Sequence, residues 1–276
     1  MALAKQFTEE QIKDIIIKYK QGISKLKLAQ SFGATTNKCI TRILKQYNIK
    51  PEDRNIRMKN KHIFDVIDTV DKAYWLGFIV GDGCIATDDT RLSIKLAAKD
   101  KQHLVKFADF MNLPYTMIKD GMGNYNNPIT YIYVSSKYVV NKLQERGIHS
   151  RKSGIEHVPT GIPEEFYRDY LRGLIDADGC ILDANRGKYH VDVSNSIENL
   201  TSMINYIKKV LNIPCPRIFE HEGTYRIYYS NLKDTYKILK HIYYSDNITY
   251  LDRKYARAKV VFNKYYLKWP QQEETT

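Results

Sequence analysis

The sequence predicts an α+β protein in which one αββαββα unit occurs twice, after a small all-α domain. Two runs predict the duplication, YWLGFIVGDG at 74–83 and YLRGLIDADG at 170–179, which align at an offset of 96. The apolar patterns that follow each run predict the same order of helices and strands at that offset. Helical spacing of apolar residues within 1–50 predicts the all-α domain. A chain of 276 residues is long enough for all three units.

The composition favours a partner that carries many negative charges. The net charge is +12, and the chain contains 22 Tyr. Nucleic acid is the simplest such partner, because clustered Lys and Arg neutralise phosphates; a merely soluble basic protein is the alternative. No run of 18 apolar residues occurs, so we expect no membrane partner. The four Cys lack CxxC spacing, which argues against a zinc site or a disulfide framework. We expect an intracellular protein, of a bacterial or phage host or of an organelle.

Residues 1–50 are predicted to form a helix-turn-helix domain. Thr8 and Gln11 form a capping box, and Gly33 makes a turn before the last of three short helices. The segment holds ten Lys or Arg against three Asp or Glu, which supplies +7 of the net charge. It resembles the helix-turn-helix of resolvases and related DNA-binding proteins, notably in GISKLKLAQSFGATTNKCITRILKQYNI. A three-helix protein-binding or spacer module is the alternative.

In a helix-turn-helix the last helix enters the major groove of DNA. We therefore expect its outward residues to bind DNA, with Thr, Asn and Arg suited to base edges and Lys to phosphates. These residues are Thr36, Asn37, Lys38, Thr41, Arg42 and Lys45. Thr35 or Thr36 is expected to cap this helix.

The rest of the chain divides around the two repeated runs. We predict a basic linker at 51–70, a first repeat at 71–150, a linker at 151–166, a second repeat at 167–262 and a C-terminal tail at 263–276. Residues 91–99 alternate between polar and apolar, which is typical of a half-buried strand. Strands are also predicted near 115–119 and 129–135. The run Arg151-Lys152-Ser153 is echoed after the second repeat by Arg253-Lys254-Tyr255.

Small residues in the two runs predict a close helix crossing. Gly77 and Gly81 lie on one face of the first helix, and Gly173 and Ala177 on one face of the second. Without bulky side chains between them, the two backbones can approach closely.

Asp82 and Asp178 end the two helices, each directly before a Gly. If the helices cross, these acids lie side by side, and two carboxylates that close repel unless a positive group lies between them. A divalent metal is the natural candidate, because hard cations bind carboxylate oxygens. The alternative is an Asp-Gly turn after a core helix. The repeat-equivalent Cys84 and Cys180, which follow, are expected to be buried.

Taken together, the two runs resemble the motif of the LAGLIDADG homing endonucleases. LRGLIDADG matches that name at eight of nine positions, whereas WLGFIVGDG is looser, with Trp75 and Leu76 opening it and Val80 where an acid often stands. The resemblance covers residues 71 to about 262. It implies the homing-endonuclease fold, a pseudo-twofold chain whose two saddle-shaped antiparallel sheets straddle the major groove. The implied function is cleavage of both strands of a long asymmetric DNA target by a monomer.

The resemblance also implies phosphodiester hydrolysis with a divalent metal. Asp82 and Asp178 would hold two or more Mg²⁺ ions, for which Mn²⁺ is a substitute, and the carbonyls of Gly81 and Ala177 would add ligands.

Three further residues are candidates for the chemistry. Lys137 and Lys233 are equivalent at the offset of 96 and lie where the family often places a basic residue near the cut phosphate. The alternative is an ordinary surface Lys at a helix start. Asp100 falls near a position that often carries a water-organising polar residue. Since its repeat mate is Ser196, we favour helix capping for both.

The polar faces of the two sheets are expected to contact bases. The candidates are Arg91, Ser93, Lys95 and Lys99 in the first repeat and Arg186, Lys188, His190, Asp192 and Ser194 in the second. Leu92, Ile94, Val191 and Val193 would then face the core.

Two other functions suit the same fold. One is an RNA-binding maturase that assists splicing of an intron, which would make intron RNA a partner and the gene intron-encoded. The other is a DNA-binding regulator. The presence of both Asp82 and Asp178 argues against a purely binding role, because binding alone does not need them.

Overall fold

The computed structural model describes residues 7–21, 23–50, 60–151, 154–184, 188–221 and 223–270. The chain forms two compact units. One contains the residues up to Asn60 together with Asn112–Pro114, and the other contains the rest. Among the described residues, no helix is long and apolar enough to cross a membrane.

The N-terminal unit contains the three predicted helices. They are α1 (Glu9–Lys20), α2 (Lys25–Ser31) and α3 (Lys38–Gln46). The capping box of Thr8 and Gln11 is confirmed, with reciprocal backbone-to-side-chain hydrogen bonds of 3.0 and 3.2 Å. Ile15, Leu28 and Ile40, one from each helix, are fully buried against one another. The predicted threonine cap of α3 is wrong, because Asn37 stands at that position and its side chain makes no capping bond.

The first repeat is one helix followed by two strand pairs separated by a helix, and closed by another helix. Its elements are α4 (Val70–Asp82), β1 (Gly83–Ile85), β2 (Leu92–Ala97), α5 (Lys101–Phe110), β3 (Lys119–Met122), β4 (Pro128–Val134) and α6 (Lys137–Glu145). The antiparallel sheet has the order β1-β2-β4-β3. The strand predicted near 115–119 begins only at Lys119, because Tyr115–Met117 forms a turn of 3₁₀ helix.

The second repeat has the same order and one additional helix. Its elements are α7 (Tyr167–Asp178), β5 (Gly179–Ala184), β6 (Lys188–Asn195), α8 (Ile197–Leu211), β7 (Phe219–His221), β8 (Thr224–Tyr229), α9 (Leu232–Ile242) and α10 (Asp252–Lys268). The antiparallel sheet order β5-β6-β8-β7 reproduces that of the first repeat. The predicted α+β class and the duplicated homing-endonuclease fold are therefore confirmed.

The C-terminal helix α10 extends beyond the predicted end of the second repeat at 262. It continues to Lys268 because its last turns still contact the core. The ring of Tyr265 is 4% exposed and stacks on Tyr236 at 3.7 Å between centroids. The predicted tail at 263–276 is thus helical over its first six residues.

The strand alternation predicted for 91–99 holds over β2. Leu92 and Ile94 are fully buried and Lys95 is exposed. Ser93 differs from the prediction, since it is 8% exposed and its hydroxyl donates to the carbonyl of Cys84 at 3.2 Å. Lys99 lies beyond the strand, in a 3₁₀ turn.

The prediction that the paired cysteines are buried is wrong. Cys84 is exposed and Cys180 is half-buried, because each is the second residue of its strand and alternates away from the core.

Helices α4 and α7 cross at their small residues, as predicted. A Cβ atom on Gly77 would overlap the carbonyl oxygen of Tyr170, and one on Gly173 would overlap that of Tyr74. The two overlaps are symmetry equivalents, so the pseudo-twofold axis passes through this crossing. Both glycines are needed for close backbone approach rather than for an unusual backbone angle.

Candidate functional site

The two acids that close the repeated runs lie at the same end of the crossed helices. Asp82 is the last residue of α4, and Asp178 is the last residue of α7. Oδ2 of Asp178 lies 2.9 Å from the point where a Cβ on Gly81 would stand, so the glycine of one repeat makes room for the carboxylate of the other. Both acids are half-buried and can be reached from solvent.

Asn195 orients one of these carboxylates. It is the last residue of β6, and its Nδ2 donates to Oδ2 of Asp178 at 2.6 Å. The hydrogen bond fixes the orientation of this carboxylate. The sequence did not indicate Asn195, because a single amide at a strand end carries no periodic or paired signal.

Lys254 binds the last carbonyl groups at the C-terminal end of helix α7. Its side chain is 2% exposed, and its ammonium donates to the carbonyls of Ile175 at 2.7 Å, Asp176 at 2.6 Å and Ala177 at 3.2 Å. The last carbonyls of a helix have no partner within the helix and carry a partial negative charge. Lys254 therefore supplies both the donors and the positive charge that this end requires.

Lys254 also lies in the field of the paired acids. Burial lowers the pKa of Lys254 to about 8, although Asp176, Asp82 and Asp178 each act to raise it. The chain itself thus places a positive group beside the two carboxylates. The sequence interpretation assigned that role to a metal alone, and its only signal for Lys254 was the echo of Arg151-Lys152-Ser153, whose Lys152 lies outside the described residues.

Replacing Lys254 by Met is expected to change how stability depends on pH. Because the folded protein holds this ammonium at a pKa of about 8, below the unfolded value near 10.5, the unfolded chain binds more protons between these values. Wild-type stability should therefore rise relative to Lys254→Met, by about 2 kcal/mol between pH 7.5 and 9.5. Urea unfolding at the two pH values measures the difference. The matched control is Lys259→Met, which removes the same charge from an exposed position of the same helix; an equal response in both variants would contradict the assignment.

Asp176 is a structural acid rather than a solvent-facing one. It is fully buried, and it accepts hydrogen bonds from the hydroxyls of Tyr74 at 2.8 Å and Tyr243 at 2.5 Å and from the backbone of Leu251 at 2.8 Å. Burial raises the pKa of Asp176 in spite of these donors. Because Val80 occupies the equivalent position in the first repeat, this network exists on one side of the pseudo-twofold axis only.

Asp100 does not cap helix α5 as predicted. Its carboxylate is 7% exposed and accepts from Nε of Arg253 at 2.9 and 3.1 Å, and its side chain makes no capping bond. A buried carboxylate is stabilised most by a cation, which explains why Arg253 takes it instead of the helix end. Its repeat mate Ser196 does cap α8, since its hydroxyl accepts from the backbone of Asn199 at 3.2 Å.

Lys137 and Lys233 are exposed residues in the first turns of α6 and α9. The start of α9 is fixed by Thr235, whose hydroxyl donates to the carbonyls of Tyr229 at 2.9 Å and Tyr189 at 3.5 Å. Tyr189 is four residues, about 13 Å, along β6 from Val193, the partner of Gly179. The catalytic role of the two lysines stays a prediction, and an ordinary surface Lys at a helix start stays its alternative.

The predicted DNA-binding residues fall into three groups. All six of α3 and its entry are exposed: Thr36, Asn37, Lys38, Thr41, Arg42 and Lys45. In the first repeat Arg91, Lys95 and Lys99 are exposed. In the second, His190 and Ser194 are half-buried, whereas Asp192 is 4% exposed and paired with Arg226. Arg186 and the side chain of Lys188 lie outside the described residues. Val191 and Val193 are fully buried, as predicted.

The donors beside the acids fit a hard cation that needs few protein ligands. Over the part of the chain that the structure describes, no group of three or more His, Cys, Asp or Glu forms a metal cluster. Two half-buried carboxylates at one helix crossing, each able to offer oxygens, match Mg²⁺, which keeps several waters and is commonly bound through one or two carboxylates.

Comparison with known proteins agrees with this geometry. Residues 165–248 match the family model described as a LAGLIDADG-like domain. An uncharacterised protein of Methanocaldococcus jannaschii, MJ0314, is 22% identical over 197 residues, which cover 68% of this chain and 72% of that protein.

Several solved structures are similar at low sequence identity. Full-length DUF199/WhiA from Thermotoga maritima has a TM-score of 0.49 and 16% identity over 74% of this chain, and this chain spans 64% of that one, less than two thirds. The LAGLIDADG meganuclease I-AabMI bound to uncleaved DNA has a TM-score of 0.45 and 16% identity, covering 70% of this chain and 91% of that one. The homing endonuclease I-LtrWI bound to target DNA has a TM-score of 0.47 and 12% identity, covering 76% and 92%.

The family match falls on α7, the second sheet and α9, and the first repeat has the same element order and sheet topology. The chain therefore contains a LAGLIDADG-like domain at residues 165–248, with the same fold repeated in its first half.

Proposed function

We propose that this protein is a site-specific, divalent-metal-dependent DNA endonuclease that cuts both strands of a long asymmetric target. The observation that carries the proposal is the pair Asp82 and Asp178 at one end of the crossed glycine-bearing helices. Two carboxylates at one helix crossing repel, so they add nothing to stability unless a positive group lies near them. A nuclease gains a metal site on the pseudo-twofold axis, where two equivalent phosphates of a duplex can be reached.

The chain's own groups would divide the work as follows. Asp82 and Asp178 would hold Mg²⁺, which would polarise a water and neutralise the charge that develops on the phosphate oxygens. Asn195 holds the Asp178 carboxylate in a fixed orientation through its 2.6 Å hydrogen bond. Lys254 is buried and binds the last carbonyls of α7, so it fixes the end of that helix and lowers the repulsion between the acids. As a buried group it acts through the acids and is a positioning residue.

The two halves of the site should not be equivalent. Asn195 contacts Asp178, while the strand registers place Leu96, which has no polar side chain, at the equivalent point of the first repeat. The buried Asp176 network has no counterpart at Val80. We expect one strand to be cut faster than the other, with a nicked intermediate.

The test uses the DNA that flanks the gene, joined without the intervening sequence and supplied as a duplex. With Mg²⁺ or Mn²⁺ the protein should cut both strands at one position; a nicked product should precede the double-strand product. Tight binding without cleavage in either metal would refute the nuclease proposal.

A DNA-binding regulator of the same fold is the second candidate, and Lys254 is the observation that favours it. A chain that carries its own buried cation beside the acids keeps them together without a metal. The same cleavage test decides between the two, since a regulator binds the duplex and leaves it whole. An intron maturase would instead bind structured RNA in preference to the duplex.

The basic helix α3 would add affinity rather than chemistry, by linking a second DNA contact to the first. Replacing Lys38 and Lys45 by Ala should reduce the slope of log K against log salt by about 2, because each phosphate contact contributes about 0.9. The matched control is Lys13→Ala with Lys20→Ala, which removes the same charge from exposed positions of α1. Equal slopes for the wild type and the Lys38 and Lys45 variant would mean that α3 does not contact phosphates.

A further inference from the structure

One charged pair on the second sheet is unusual for a surface that faces solvent. Asp192 in β6 is 4% exposed, and it is bound by Nη2 of Arg226 and, at 3.3 Å, by its Nε. The two residues are diagonal neighbours on the same face, since Asp192 pairs with Tyr228 and Ser194 with Arg226. The Asp192 carboxylate raises the pKa of Arg226, which stays charged.

The pair leaves a defined edge of the guanidinium available. An Arg side chain has five N–H donors in a planar fork, and the Asp192 carboxylate takes one from Nε and one from Nη2. The outer end of the Arg226 guanidinium still presents one N–H from Nη1 and one from Nη2, side by side. That geometry matches the O6 and N7 acceptors of guanine in the major groove, the commonest specific contact to DNA.

One further contact holds this edge in place. The guanidinium carbon lies 5.4 Å from the centroid of the Tyr228 ring, so the plane is supported on one side. The Arg226 side chain is 26% exposed, so part of it can be reached from solvent. An Arg already fixed by a carboxylate loses less entropy on binding than a free one.

The first repeat differs at the same positions. The register Gly83 to Ile94 matches Gly179 to Val193, so the position of Arg226 is taken by Tyr131, opposite Lys95. The two sheets therefore present different chemistry at equivalent points.

We propose that Arg226, held by Asp192, recognises one guanine in the half of the target that the second repeat binds. The proposal rests on the DNA binding in the proposed function. Arg226 lies two strands from β5 and at the level of Asp178, a separation of about 10 Å. At 3.4 Å per base pair, the guanine lies within about three base pairs of the phosphate that Asp178 addresses.

The experiment begins with selection of bound duplexes from a randomised library by the wild-type protein in Ca²⁺. Equilibrium binding is then measured for targets in which each base pair near the cut is changed. For the wild type, replacement of one particular G·C pair should weaken binding about 5- to 150-fold, which is the range of a good bidentate contact. Arg226→Ala should bind guanine and its replacements equally, and Asp192→Asn should show a reduced preference.

Two controls separate recognition from stability and from the proposed function. Tyr131→Ala, at the equivalent point of the first repeat, should keep the guanine preference. If Arg226→Ala only lowers stability to urea and keeps every base preference, the pair is structural and the inference fails, even if the protein cuts DNA. A guanine preference that depends on Arg226 in a protein that never cuts would uphold the inference and refute the nuclease. Failure of the wild type to enrich any duplex would overturn both.

Discussion

Asp178→Asn should abolish double-strand cleavage and leave at most a nick in one strand. Under the proposed function, loss of one carboxylate would remove one of the two acids that hold the metal. The stabilisation that a metal gives a developing phosphate charge is worth several kcal/mol. Since each 1.4 kcal/mol is tenfold in rate, cutting of the affected strand should slow by about a thousandfold or more.

Binding should survive this substitution. Asn has the shape of Asp, and its carbonyl can still accept the hydrogen bond from Asn195. The affinity for the uncut duplex in Ca²⁺ should therefore change little, while product analysis on denaturing gels shows which strand is still cut. Asp82→Asn is the matched variant. It should still cut the strand that Asp178→Asn fails to cut.

An exposed acid far from the crossing provides the second control. Asp120 forms a surface ion pair with Lys101 at 2.6 Å, and Asp120→Asn should cut normally. Normal double-strand cutting by Asp178→Asn would show that the metal site has been misplaced.

The duplication and the paired acids could be predicted from sequence because both appear as patterns of a few neighbouring residues. Asp82 and Asp178 each end a recognisable helix, and the constant offset of 96 relates the two. The alternation in β2 identified its buried side for the same reason. Such signals need only a few adjacent residues.

The supporting residues could not be predicted because their contacts join distant parts of the chain. Lys254 reaches carbonyls 77 to 79 residues earlier, and Arg253 takes Asp100 from 153 residues away. The capping preference of Asp100 is a local tendency. In the fold, a buried ion pair with Arg253 replaces the cap, and no local sequence pattern indicates that pair.

Gly173→Ala is expected to cost about 3 kcal/mol of folding stability or more, since overpacking that cannot relax lies at the top of its usual range. By helix propensity alone, Ala would stabilise α7 by up to about 1 kcal/mol. The opposite result is expected because the added methyl would overlap the Tyr74 carbonyl oxygen, which is part of the rigid backbone of α4. Urea unfolding measures the loss, and Thr201→Ala, at an exposed position of α8, should change stability by less than about 0.5 kcal/mol.

Gly77→Ala should behave as its symmetry mate, because its methyl would overlap the carbonyl of Tyr170. Together the two substitutions test whether both glycines serve one interface. Once the first methyl has forced α4 and α7 apart, the second finds part of its space already made, so the double variant should cost less than the sum of the single ones by about 0.5 to 3 kcal/mol. Strictly additive losses, or a loss below about 1 kcal/mol for either glycine, would mean that the helices do not meet backbone to backbone. The separation of α4 and α7 would also move Asp82 away from Asp178. The folded double variant should therefore lose cleavage while it still binds DNA.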